Sequence, residues 1–141
     1  MGGHIEPWLP EAKAQNEAVM RTIFAAFVSF WEDGYEVVLD GVVGPWFLTG
    51  LDGRLPALMP VDYVLLLPDL KTVQHRVATR TGHGFTDEAA TTRMHQDFES
   101  ARIGFERHVF DSTGLTPAQV AEEIRDATAS GRFRLDRKRG R

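Results

Sequence analysis

Val61-Asp62-Tyr63-Val64-Leu65-Leu66-Leu67-Pro68-Asp69 is the stretch on which the fold turns. Its end is continuously apolar rather than alternating, and a strand of that kind is covered on both faces, as in a parallel sheet. Pro68 closes the strand. Asp69 then caps a predicted helix to about Thr81, with Leu70, Val73 and Val77 on its inner side. Gly82-His83-Gly84 breaks that helix, and Thr86 or Asp87 caps another to about Ile103. His108-Val109-Phe110-Asp111 reads as a further short strand. Thr116 as N-cap and Pro117 at N1 open a last helix, with Ala118, Val120, Ala121, Ile124 and Ala127 inward and Gly131 as its stop.

Upstream, Pro10 suits a helix N1 position and Glu11 follows where the helix dipole favours an acid. Met20, Ile23, Phe24, Phe27, Phe30 and Trp31 recur at three- and four-residue spacing, so a helix is predicted from about Pro10 to Asp33, stopped by Gly34. Tyr35-Glu36-Val37-Val38-Leu39-Asp40 is short, β-branched and bounded by glycines, which predicts a buried strand. A loop, 41–45, and a short helix from Trp46 to about Leu51 complete the order α–β–α–β–α–α–β–α. Strands alternating with helices argue a three-layer α/β domain. Three strands make a thin sheet for that many helices.

The chain has 141 residues, a formal charge of −4 and no cysteine. That length fits one domain, read as residues 1–135, with 136–141 as a basic tail. Without cysteine there is no disulfide framework, thiolate nucleophile or Cys-ligated zinc. The N-terminus lacks a basic segment followed by an apolar one, and the longest apolar stretch, Ile23–Trp31, is too short to span a bilayer. A soluble, cytoplasmic protein with no membrane partner is expected. The last ten residues, RFRLDRKRGR, hold six basic side chains and one acid, so the preceding 131 carry −9. A frayed, solvated terminus is the expectation for them. The acidic body argues against nucleic acid as a partner.

Some residues are candidates for chemistry. Asp40 closes a predicted strand, and ligands of open α/β sheets bind outside strand C-termini. A carboxylate there can hold a Mg²⁺-bound water or take a hydroxyl proton. Asp-Gly is also a favoured turn pair. Arg76 and Arg80 lie four apart on one predicted helix and could fork onto phosphate oxygens, or form an ordinary solvated face. Gly82-His83-Gly84 after them is a joint of the kind a closing lid needs. His83, His95 and His108 fall on different elements without metal-site spacing. Trp8 and Trp46 lie near predicted strand-end loops, where they either pack or stack on a small molecule. No GxxxxGK[ST] and no GxGxxG occurs, and none of the three lysines follows a glycine-rich turn.

Together these pieces resemble the small P-loop kinases of the gluconate kinase, shikimate kinase and chloramphenicol phosphotransferase type, over Gly3 to about Leu135. Gly3-xxx-Pro7-Trp8 with Gln15-Asn16 looks like the substrate-side segment and the helix after the second strand. Tyr35–Gly41 looks like the third strand with its acidic end, and Val64–Pro68 like the fourth. Arg76-xxx-Arg80-Thr81-Gly82-His83 is close to the lid of gluconate kinases. His108 to Pro117 looks like the fifth strand, the loop beside the adenine and the last helix. The resemblance implies a five-stranded parallel sheet and the use of ATP and Mg²⁺ to phosphorylate a small hydroxyl compound. It implies Asp40 near Mg²⁺ or the acceptor, and Arg76 and Arg80 on the phosphates. It further implies Ser112 and Thr113 beside the adenine, and Trp8 and Trp46 beside the acceptor.

The first strand, the P-loop, the first helix and most of the second strand have no counterpart in these 141 residues. The resemblance thus implies a P-loop kinase-like domain that is incomplete at its N-terminus, beginning about 30 to 40 residues late. Met1 is then an internal residue of a longer protein or the start of a shortened gene. The phosphate-cradling loop is the main positioning device of such enzymes, so the chain alone is expected to transfer phosphate poorly. The alternative is a kinase-like remnant that binds a ligand or partner without catalysis. A missing central strand also leaves Val37–Leu39 and Val64–Leu66 as unpaired edges, which favours a molten state or a homodimer.

Overall fold

The run that ends at Leu67 finds its neighbour far along the chain. In a computed structural model, which describes residues 5–49, 51–82 and 84–136, strand β1 (Leu65–Leu66) pairs in parallel with strand β2 (Val109–Phe110). Leu65 lies opposite Val109 and Leu66 opposite Phe110, and the Leu67 amide donates to the Phe110 carbonyl at 3.0 Å. Gly3, His83 and residues 137–141 of the basic tail lie outside the described residues. The described chain divides into two compact units, one reaching Met59 and one spanning Pro60–Leu135.

In the second unit, helices α2 (Leu70–Thr79) and α3 (Glu88–Ala101) form the connection between the parallel strands and pack against each other. Parallel strands need such a crossover because a tight turn cannot reverse the chain twice. The Asp69 carboxylate caps α2 by accepting from the Thr72 amide at 2.7 Å, and Asp87 caps α3 through the Ala90 amide at 2.8 Å. Helix α4 (Pro117–Ala129) follows β2 and starts with a reciprocal capping box between Thr116 and Gln119. It ends on Gly131, with φ +78°. There the Gly131 and Arg132 amides donate to the Thr128 and Ala127 carbonyls, a Schellman closure.

Leu65 and Leu67 are buried while Leu66 is 50% exposed. The strand is therefore covered on one face and not the two expected. A narrow pair has one packed side, and the alternation follows from the pleat. The inner face of α4 is also narrower than expected: Val120, Ile124 and Ala127 are half-buried, whereas Ala118 and Ala121 are exposed.

The end of this unit departs most from expectation. Phe133 is fully buried and its carbonyl accepts from the Tyr63 amide at 2.9 Å. The Leu135 amide donates to Val61, so 133–135 runs antiparallel beside 61–63, bridged at Asp62 and Arg134. The Arg134 guanidinium forks onto both Asp62 oxygens at 3.0 and 3.1 Å. Residues 132–135 are thus a docked edge and not a frayed terminus; an apolar phenylalanine between two arginines is the sequence signal for it.

In the first unit, a 3₁₀ turn at Pro10–Ala12 leads into helix α1 (Lys13–Glu32). Met20 and Phe24 are its buried side chains, and Ile23, Phe27 and Trp31 are half-buried. Gly34, with φ +85°, ends it by a second Schellman closure, through Gly34 to Trp31 and Tyr35 to Phe30. Two 3₁₀ turns, Pro45–Phe47 and Leu51–Gly53, stand where one short helix was expected. The predicted strand Tyr35–Asp40 forms no helix, turn or bend and is not a strand, because no segment among the described residues pairs with it. β-propensity without a ladder does not make a strand. Among the described residues the chain is therefore mixed helix with a two-stranded parallel sheet, in place of a three-stranded one.

Phe133→Ala is expected to cost about 3–5 kcal/mol, the usual range for emptying a buried aromatic site, read as a lowered denaturant midpoint. Thr116→Ala is expected to cost about 1 kcal/mol through the lost cap, and Thr116→Ser to recover most of it.

Candidate functional site

Because β1 and β2 are parallel, their C-terminal ends emerge side by side. Leu67-Pro68-Asp69 leaves one strand and Asp111-Ser112-Thr113 leaves the other. The Asp69 amide donates to the Thr113 hydroxyl at 2.8 Å, joining the two loops. The Thr113 amide in turn donates to the Asp111 carboxylate at 2.8 Å. Arg76, on α2, reaches across to the same place. One guanidinium nitrogen donates to the Ser112 hydroxyl at 3.1 Å and another to the Ser112 carbonyl at 2.9 Å. Ser112 is 2% exposed, so a cation holds two oxygens that water barely reaches. His95 completes the surround: its Nε2–H donates to the Pro68 carbonyl at 2.9 Å, since a carbonyl can only accept.

The carboxylates here are tuned by hydrogen bonds. The hydroxyl and then the amide of Thr113 hold the Asp111 carboxyl below the usual range, against some opposition from the nearby Asp69 charge. Asp69 is held low by the Thr72 amide and hydroxyl. Away from these loops, burial pushes the Tyr63 phenol up. His108 is buried and its Nδ1–H donates to the Tyr63 carbonyl at 3.0 Å, a packing role.

Arg76, Ser112 and Thr113 are therefore gathered at one place. Arg80 takes a different course. Helix α2 ends at Thr79, and Arg80 is already extended at ψ 143°. Its guanidinium donates to the Phe85 carbonyl at 2.9 Å and lies 5.9 Å from the Phe85 ring centre. The helical face that a four-residue spacing predicts stops one residue short of it. Asp40, Trp8 and Trp46 belong to the first unit. Asp40 is exposed and Trp8 half-buried. The Trp46 indole lies on Gly44 so closely that a Cβ there would clash with the ring, and it tilts against Phe47 with centroids 5.8 Å apart.

Asp69, Asp111 and His95 are members of this constellation that the sequence reading used only as a cap, a strand end and a stray histidine. The strand-end rule that singled out Asp40 applies equally to Asp111. An open groove of about 290 Å³ between α2 and α3, lined by Gln74, Val77, Thr86 and Thr91 among others, lies in the same unit. Among the described residues no three His, Asp or Glu side chains gather as metal ligands, and no helix is long and apolar enough to cross a membrane. Compared with protein-family models and with curated proteins, the chain matches none.

Arg76→Ala is expected to cost about 1–2 kcal/mol, the low end for charge-assisted bonds because the arginine is itself exposed; Arg76→Lys restores only part. Asp111 has a folded pKa below its unfolded one. Its contribution is thus present above the unfolded pKa and lost as pH falls through the folded value. Melting temperatures measured between pH 6 and pH 2 are therefore expected to fall less steeply for Asp111→Asn than for the parent.

Proposed function

We propose that this chain carries the nucleotide side of an ATP- and Mg²⁺-dependent phosphotransferase acting on a small hydroxyl compound. The observation that supports it is the Arg76 guanidinium bonded to Ser112 at the ends of two parallel strands, beside the Asp69–Thr113 clasp. Ligands of parallel sheets bind at such ends, and a guanidinium with donors beyond the two in use suits phosphate oxygens. In this reading the second unit would meet the nucleotide, with Ser112 and Thr113 at the adenine and Arg76 and Arg80 at the phosphates, and on the first unit Trp8 and Trp46 would border the acceptor. Mg²⁺ enters with the triphosphate and needs only one or two protein carboxylates. The exposed Asp40 fits that modest requirement. When bound, the ion neutralises charge on the phosphates. Transfer would form a bond from the acceptor oxygen to the γ-phosphorus as the bond to the β-phosphate oxygen breaks, with the hydroxyl proton passing to a carboxylate, the role proposed for Asp40 of the first unit.

A second reading, a ligand- or partner-binding module without catalysis, draws on a different observation. The guanidinium groups of Arg76 and Arg80 are bonded to carbonyls of their own chain, Ser112 and Phe85. Cations so used can be structural.

Calorimetric titration with Mg·ATP separates the two. The first reading expects a dissociation constant of about 1 mM or tighter, weakened at least tenfold by Arg76→Ala in a variant that still melts cooperatively. Efficient transfer is not expected from these 141 residues alone, which contain no GxxxxGK[ST]. Absence of binding by a folded chain at several millimolar nucleotide sinks the phosphotransferase reading and leaves the second.

A further inference from the structure

The first unit holds a segment of which the proposed function uses only Asp40. After the Schellman closure at Gly34, residues 36–40 form no helix, turn or bend, and none of their backbone amides or carbonyls is bonded among the described residues. Burial nevertheless alternates along them: Val37 and Leu39 are half-buried, while Glu36, Val38 and Asp40 are exposed, Val38 to 91%. That is the period of a strand with one face packed. The segment is anchored at its start, where the Tyr35 amide donates to Phe30 at 2.9 Å and the two rings meet edge to face at 6.0 Å. It has the side-chain arrangement of a sheet edge and lacks only a neighbour.

Charge selects the neighbour. From residue 22 to residue 53 the chain contains no Lys, Arg or His, but it contains Glu32, Asp33, Glu36, Asp40 and Asp52. On the exposed face, Glu36 and Asp40 stand on either side of Val38. Opposite residues in a sheet interact directly, and like charges there are unfavourable. A second copy would set this acidic segment against itself. We propose that Glu36–Asp40 is a docking edge for an extended peptide strand of a basic partner, whose exposed face reads basic–apolar–basic. Main-chain hydrogen bonds would supply the attachment and the flanking acids the selectivity.

The probe is a capped nine-residue peptide with the palindromic core Lys-Ile-Val-Ile-Lys, which offers the same pattern in either direction. It is added to the full chain without nucleotide or Mg²⁺, and amide hydrogen exchange is followed by NMR. Alternate amides between Glu36 and Asp40 are expected to exchange at least tenfold more slowly, since successive N–H groups of a strand point to opposite edges. Replacing both lysines by glutamate is expected to weaken binding at least tenfold. Glu36→Lys, an exposed change, is expected to narrow or reverse that preference, and Val38→Pro to reduce binding by either peptide. Unchanged exchange at millimolar peptide overturns the proposal, as does equal binding of the glutamate peptide. Protection of the same amides in the chain alone, rising with its concentration, overturns it in favour of a second copy. None of these outcomes depends on ATP binding.

Discussion

Everything in the second unit depends on two short strands running the same way. Parallel pairing cannot be closed by a hairpin, so the chain between Leu66 and Val109 must cross over, and it does so as α2 and α3. The same constraint brings both strand exits to one edge. Asp69 and Thr113 meet there because their strands end there, and Arg76 reaches Ser112 because α2 starts from that edge. With two residues in each strand the ladder itself supplies few hydrogen bonds. The side-chain bonds across the loops and the docked 133–135 edge therefore carry much of the register.

Helices were the most legible elements. Asp69, Asp87 and Thr116 cap where their positions suggested, and Gly34 and Gly131 stop helices at the expected residues. These signals are local: a cap or a left-handed glycine acts within one turn. Strands were less legible because a strand exists only through its partner. Val61–Leu67 and Tyr35–Asp40 look alike as sequence, yet one has Val109–Phe110 beside it and the other has no paired neighbour among the described residues. Phe133 was missed for a related reason. Its neighbours are cations, and only the antiparallel pairing with 61–63 turns it inward.

The candidate site was legible in part. Arg76, Ser112 and Thr113 were singled out and stand together, but the bonds among them could not be read from spacing. Arg80 shows how sensitive such spacing arguments are to a helix end. One residue of helix fewer than the i, i+4 rule requires sends its guanidinium to Phe85. Asp40, Trp8 and Trp46 are on a unit whose own order is local: a helix, three 3₁₀ turns and an indole seated on Gly44.

The arginines near the end of the chain have a consequence for polyelectrolyte behaviour. Arg132 donates to the Val109 and Arg107 carbonyls, Arg134 forks onto Asp62, and Arg107 donates to the Arg134 carbonyl. These cations act as rivets along the sheet edge. The Arg134 charge is offset by the Asp62 carboxylate, so it displaces fewer condensed counterions from a polyanion unless that pair opens. The electrostatic valence of this terminus is therefore smaller than its six basic side chains suggest. Its positive charge is in part an internal fastening, counted in the sequence but spent within the fold.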